Sequence, residues 1–260
     1  HILRNALLAL LDQPQATLAD VLKMLDDVKY RKMVAQASSN NQVRDFWLKE
    51  YAHYPARFQI EAIAPIQNKV GAFLSNPVLN RILTQGRSAF KLRPIMDESK
   101  ILLVNLSKGQ LGEDTSNLLG SLLVSRIGLA ALSRSDIPEE ERRDFFLYLD
   151  EFQNFMTQSL TTLLSETRKY RLNLILAHQY LAQLDPKVSQ AVFGNIGTVI
   201  SFRVGAIDAE VLAKEFAPDV SMADLVNLPN YRIFLKLMID GMVSKPFSAQ
   251  TLMPSNELLQ

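Results

Sequence analysis

Two adjacent carboxylates, Asp150 and Glu151, close the apolar run Phe145-Phe146-Leu147-Tyr148-Leu149. Arg168 follows Asp150 by 18 residues, and Gln179 follows Arg168 by 11. These residue types suit the transfer of a phosphoryl group to water. Asp150 would hold a hydrated Mg²⁺, and Glu151 would orient or polarise the attacking water. The Gln179 amide can donate to a γ-phosphate oxygen and accept from water, so it can sense hydrolysis. The guanidinium of Arg168, at the end of an expected helix, could reach a neighbouring subunit's nucleotide. Plainer readings exist for each: a buried strand ending in a solvated turn, a cation at a helix C-terminus, an ordinary loop amide. Taken singly, the plainer readings of Arg168 and Gln179 are favoured, while the heptad alone favours neither; the combination with Asp150-Glu151 reverses the preference.

The elements that must position these residues follow from pattern. A short apolar run without a polar break suits a strand buried on both faces of a parallel sheet. Its carboxyl end is where open α/β sheets place ligands, so Asp150 and Glu151 form a Walker B shape. Leu172–Ala177 reads as a second buried strand ending in His178-Gln179, and 198–202 as a third. Residues 101–106 read as a further strand, and 115–132, 160–170, 207–216 and 222–227 as helices. Residues 133–144 are polar and charged, which predicts a solvated loop tolerant of insertion. Segments 231–238 and 242–247 flank Asp240-Gly241, a two-residue hairpin signal. The tail from Thr251 is expected to fray. Strand alternating with helix predicts an α/β domain with a mainly parallel sheet and an antiparallel edge.

Residues 1–95 read as all helix. Leu3, Ala6, Leu7, Leu10 and Leu11 recur at helical spacing. Thr17 and Asp20 approach a capping box, Asn41 opens a helix stopped near Pro55, and Pro77 can start another. Trp47 and the nearby tyrosines fit the core better than a base-stacking platform.

Of the 260 residues 48% are hydrophobic, enough for one large domain or two small ones, and 28 Lys+Arg nearly cancel 27 Asp+Glu. Nucleic-acid contact would therefore be local or shared between subunits. Cysteine is absent, which excludes disulfides and thiol catalysis. His1, His53 and His178 show no metal-ligand spacing. No apolar run approaches a membrane span and no signal peptide is visible. The opening His1-Ile2-Leu3 enters a helical pattern at once, as expected of a fragment or trimmed chain.

Three motifs in order carry a family resemblance: Leu147-Tyr148-Leu149-Asp150-Glu151-Phe152-Gln153, Arg168-Lys169-Tyr170-Arg171-Leu172 and Ala177-His178-Gln179. The pattern resembles the type IV coupling proteins, of the FtsK–HerA group of RecA-like motor ATPases, over about residues 97–250. The resemblance implies an all-α domain at 1–95, a RecA-like P-loop NTPase core at 96–250 and a tail at 251–260. It assigns Walker B to Asp150 and Glu151, with Asp150 holding Mg²⁺ through water, the trans arginine to Arg168, and the motif III glutamine, contacting ATP, to Gln179. It implies ATP and Mg²⁺ as cofactors and a homo-oligomeric ring, a hexamer, acting on DNA or a nucleoprotein relaxosome with type IV secretion components. The expected location is cytoplasmic, and the family's membrane anchor would place the parent at the cytoplasmic face of the inner membrane. The chain departs from the family in one respect: it holds no G-x-x-x-x-G-K-[ST], so the cradle for the β- and γ-phosphates is expected upstream in a longer ATPase. Two rivals stay open: a related secretion or assembly ATPase that moves protein, and a non-catalytic interaction module.

Overall fold

In the computed structural model the described residues are 1–155, 163–181 and 184–252. They form two compact units, His1–Lys91 with Leu106–Ser116, and Leu92–Asn105 with the residues from Asn117 onward.

The first unit is helical: Ile2–Leu11, Leu18–Asp26, Val28–Ala37, Asn41–Asp45, then a π-turn Phe46–Glu50, Ala56–Ser75 and Pro77–Leu83. Its local signals act through identifiable bonds. The Asp20 carboxylate accepts from Thr17 N at 2.8 Å and Thr17 Oγ1 at 2.9 Å, closing the helix start. Asn76 Oδ1 accepts from Val78 N and Leu79 N, and Pro77 takes the first helical position. Trp47 is core, packed with Phe46, Tyr51, Val21 and Met24. Its Nε1 donates to the Asn5 carbonyl at 3.2 Å, so the indole's one polar atom is satisfied inside.

The second unit carries the strands. β1 (Phe145–Leu149) pairs in parallel with β2 (Leu172–Leu176), from Phe145↔Leu172 to Leu149↔Leu176. β3 (Val199–Ser201), β4 (Arg232–Lys236) and β7 (Phe247–Gln250) form an antiparallel sheet in the order β3-β4-β7. β5 (Met238–Ile239) and β6 (Met242–Val243) make the expected hairpin, with Asp240 at φ 49° and Gly241 at φ 79°. Both turn residues occupy the positive-φ region that a type I′ turn requires.

The structure corrects four expectations. The sheets are mixed rather than mainly parallel: the third strand shortens to Val199–Ser201 and pairs antiparallel with β4. An apolar run marks a strand but does not encode its partner, which is a long-range choice. Second, β1 is buried on one face only. Leu147 and Leu149 face a core shared with Val124, Ile127 and Ala131 of the helix Glu113–Leu132, whereas Phe146 and Tyr148 are exposed. Third, residues 101–106 form no strand among the described residues, and Ile101 and Leu103 are 88% and 89% exposed. An extended segment without ladder hydrogen bonds is not a strand, whatever its side chains. Fourth, 133–144 is not simply solvated. It contains two 3₁₀ turns, Ser133–Asp136 and Glu139–Glu141, and it buries Arg134 completely.

One composition reading also changes. The stretch Glu113–Asp136 is long and apolar enough, by length and composition, to cross a membrane. Its Val124, Ile127 and Ala131 lie in the protein core, which is the ordinary reason for such a helix. The expected helix over 160–170 is helical at 163–166 and tightens to a 3₁₀ turn at Arg168–Tyr170, with 160–162 outside the described residues. The tail expected to fray lies mostly outside them too.

Candidate functional site

The site is built on the carboxyl ends of β1 and β2. The parallel ladder continues past the strands: Ala177 N donates to Leu149 O at 2.9 Å and Phe152 N to Ala177 O at 3.1 Å. These bonds bring the loop after β1, with Asp150 and Glu151, beside the loop after β2, with Gln179. Phe152, almost wholly buried, plugs the underside and meets the His178 ring edge-on at 5.1 Å. Further along the second loop, Leu181 N donates to the buried Asp208 carboxylate at 3.1 Å, tying the segment after Gln179 to the helix Ala206–Glu215.

Within this frame Glu151 adopts φ 49°, the left-handed region that side chains other than Gly, Asn and Asp seldom visit. Such a conformation costs about 1 kcal/mol or more and persists only where neighbours enforce it, often at functional sites. Here the enforcement is visible. Gln179 Nε2 donates to Glu151 Oε1 at 2.5 Å, and Gln153 Nε2 donates to Oε2 at 2.5 Å. The carboxylate is held between two neutral amides, half-buried, with its direction fixed. Asp150 is exposed; its Oδ1 accepts the Glu151 amide at 3.0 Å. No described residue engages its other oxygen, which leaves a hard oxygen donor of the type that binds Mg²⁺ through water. Among the described residues no group of three or more His, Cys, Asp or Glu gathers into a metal cage. A single carboxylate with water and phosphate ligands is the usual manner of Mg²⁺ at nucleotide sites, so Asp150 fits that role.

Arg168 lies elsewhere. It opens the turn before β2, at the amino end of the parallel pair, whereas Glu151 and Gln179 lie past the carboxyl ends. Five-residue strands span roughly 17 Å, more than an arginine side chain can reach. The Arg168 side chain is exposed and makes no ion pair or hydrogen bond with any described residue. The structure thus brings together Asp150, Glu151 and Gln179 and sets Arg168 apart. Sequence reasoning assigned no role to Gln153 or Asp208. Gln153 stood inside the first motif, two residues from Glu151, and its spacing was the available signal; nothing local marks Asp208.

A family model described as the TraM recognition site of TraD and TraG matches residues 144–228, the stretch that carries β1, β2 and the site. No curated protein matches the chain by sequence. Among solved structures, plasmid coupling protein TrwB in complex with ADP and Mg²⁺ superposes with TM-score 0.66 at 17% identity, over 96% of this chain and 61% of that one. TrwB in complex with the non-hydrolysable GTP analogue GDPNP gives 0.64 at 16% identity, over 96% and 61%. The bacterial conjugative coupling protein TrwBdeltaN70, unbound, gives 0.63 at 17%, over 93% and 60%. At these identities the superpositions establish a shared fold, and the chain spans about three fifths of the length of those proteins. With the family match at the site and the shared fold around it, the chain is type IV coupling protein-like.

Proposed function

We propose that this chain is the distal part of an ATP-driven motor of conjugative DNA transfer. In this reading 96–250 belong to a RecA-like core, 1–95 form its all-α domain, and the phosphate loop lies upstream in the full-length protein. The observation that carries it is the meeting of Glu151 and Gln179 across the carboxyl ends of a parallel strand pair, the amide 2.5 Å from the carboxylate. The open face of β1, with Phe146 and Tyr148, fits a core completed by further strands.

The chemistry follows from the residues. Glu151, fixed by its amides, accepts a hydrogen bond from the attacking water and aims it in line at the γ-phosphate. Gln179 can leave Glu151 for a phosphate oxygen, so its two partners distinguish the nucleotide-bound from the empty site. Asp150 would hold Mg²⁺ through water, and the ion would neutralise charge on the β- and γ-phosphates. Arg168, too far from its own Glu151, serves the site of the next subunit in a homo-oligomeric ring, a hexamer, located in the cytoplasm. The substrate is DNA or a nucleoprotein relaxosome; the family description, with its recognition of TraM, supports a relaxosome protein as the partner met by 144–228.

Mixed rings of the full-length protein provide the test. Arg168→Ala subunits keep an intact nucleotide site, and Glu151→Gln subunits keep an intact arginine. Neither should turn over alone, and together they should regain activity. Mixed rings that demonstrably form yet stay silent would refute the trans assignment.

A further inference from the structure

Arg168 sits in a turn whose backbone is bonded at every carbonyl. Thr167 O accepts from Tyr170 N at 2.9 Å and from Leu172 N at 3.3 Å. Arg168 O accepts from Arg171 N at 3.0 Å, and Arg171 O accepts from Phe145 N at 2.8 Å, the first bond of the parallel pair. The remaining two carbonyls point away from any local amide, and each meets a guanidinium from 133–144. Arg142 Nη1 donates to Lys169 O, and Arg134 Nη1 donates to Tyr170 O at 3.0 Å.

The two arginines are themselves fixed. Arg134 is fully buried, pairs through Nε with Asp97 Oδ1 at 2.9 Å and also donates to Arg143 O at 2.9 Å. Arg142 Nε donates to Arg134 O at 3.1 Å and Ile137 O at 2.9 Å, and its guanidinium lies 5.2 Å from the centre of the Tyr170 ring. A cation at a helix end ordinarily serves the last carbonyls. Here that work belongs to Arg134 and Arg142, and the Arg168 side chain has no partner among the described residues.

We infer that Arg142 and Arg134 are positioning residues for Arg168: together they hold the Arg168–Arg171 turn so that the free guanidinium is presented to a neighbouring subunit. This rests on the trans reading of Arg168 above. Neither positioning residue touches nucleotide. They act because transition-state charge is stabilised only by a group already in place, and a displacement of about 1 Å can cost on the order of 100-fold in rate.

Arg142 is the more tractable of the two, since it is only half-buried and its loss leaves no fully buried charge. In the full-length ring Arg142→Ala should lower kcat roughly 10- to 100-fold with nucleotide affinity unchanged, and Arg142→Lys, which cannot span the same carbonyls, should restore little. Mixing separates the mechanisms. Arg142→Ala with Glu151→Gln subunits should regain activity, because the defect lies in the arginine presented to the neighbour. Arg142→Ala with Arg168→Ala subunits should not, because both lack the same function. Regain in the second mixture, or none in the first while Arg168→Ala with Glu151→Gln does regain, would overturn the inference and spare the trans reading. If Arg168→Ala with Glu151→Gln also fails, the trans reading itself falls and takes this inference with it. Amide hydrogen exchange on the 260-residue chain gives a readout free of catalysis: Arg142→Ala should speed exchange at Tyr170 and Arg171, and unchanged protection there would equally overturn it.

Discussion

Replacing Arg134 by methionine removes a fully buried cation while keeping most of its apolar length. The guanidinium makes one ion pair, to Asp97 at 2.9 Å, and two hydrogen bonds, to Arg143 O at 2.9 Å and Tyr170 O at 3.0 Å. Taking one member from a buried pair costs about 3–5 kcal/mol, because the other groups stay behind unpaired. Two features lower that figure here. Asp97 keeps Arg93 at 2.5 Å, and the methionine refills the space without desolvating a charge. Against this, each abandoned carbonyl costs about 1–3 kcal/mol unless water reaches it. The balance is a loss of about 3 kcal/mol, or roughly 6–12 °C in the melting temperature of a unit of this size. Urea melts followed by far-UV circular dichroism should show a lower midpoint with an unchanged slope. Arg93→Met provides the comparison. Its side chain is 26% exposed, so its bonds to Asp97 and Asp136 compete with water, and about 1 kcal/mol is expected. A loss below about 1 kcal/mol for Arg134→Met, or one equal to that of Arg93→Met, would refute the reasoning that burial makes this arginine different.

A Cβ placed on Gly128 would lie 2.3 Å from Leu163 Cδ2, so Gly128→Ala should destabilise by about 1–2 kcal/mol despite the better helix propensity, and should become stabilising in a Leu163→Ala background. Burial and its hydrogen bond to Asp20 push the Tyr30 phenol up to about 12, so its contribution is full below about pH 10 and is lost as the pH rises toward 12. Wild type should exceed Tyr30→Phe by about 1 kcal/mol, after allowance for solvent screening, in denaturation at pH 8, and the gap should close by pH 12; emission from the buried Trp47 in the same unit is the readout. Burial pushes Asp20 up, but hydrogen bonds from Thr17 and Tyr30 outweigh it and hold the carboxyl below 3.8. The stability Asp20 adds should therefore be present above that value and fade as the pH falls through its lower folded pKa, as acid melts of Asp20→Asn against wild type will show. The 260-residue chain should not turn over ATP, and turnover that follows the protein through purification and vanishes in Glu151→Gln would refute the requirement for a phosphate loop from another segment.

Local signals were legible where the responsible bonds are local. Thr17 with Asp20, Asn76 with Pro77, and Asp240-Gly241 each announce their turn or cap within four residues, and each forms it. The run Phe145–Leu149 announced a strand and its acidic end, because apolar length and position are written in one heptad. What sequence could not convey is pairing at a distance. Val199–Ser201 chose an antiparallel partner 33 or more residues away, and 101–106 forms no strand among the described residues. The same limit hid Arg134 and Arg142. In a segment rich in charge an arginine looks solvated, and only the fold shows that its donors meet carbonyls 27 and 36 residues on. Gln153 was visible by type and position, but its contact with Glu151 depends on the left-handed backbone at Glu151, which no composition predicts.

The fully bonded turn beneath Arg168 divides order from motion. Backbone freedom there, about 1–2 kcal/mol per residue, was surrendered when the chain folded. Only the side chain's own torsions remain to be frozen when a nucleotide arrives, at most about 2 kcal/mol for an arginine. Those torsions relax within picoseconds to nanoseconds at an exposed position, far faster than a hydrolytic cycle lasting milliseconds or longer. If Arg168 serves a neighbouring site as proposed, its reorientation would therefore not be the slow step. The tempo of a ring built from this chain would instead be set by how often neighbouring subunits close the gap between the guanidinium and the next bound nucleotide.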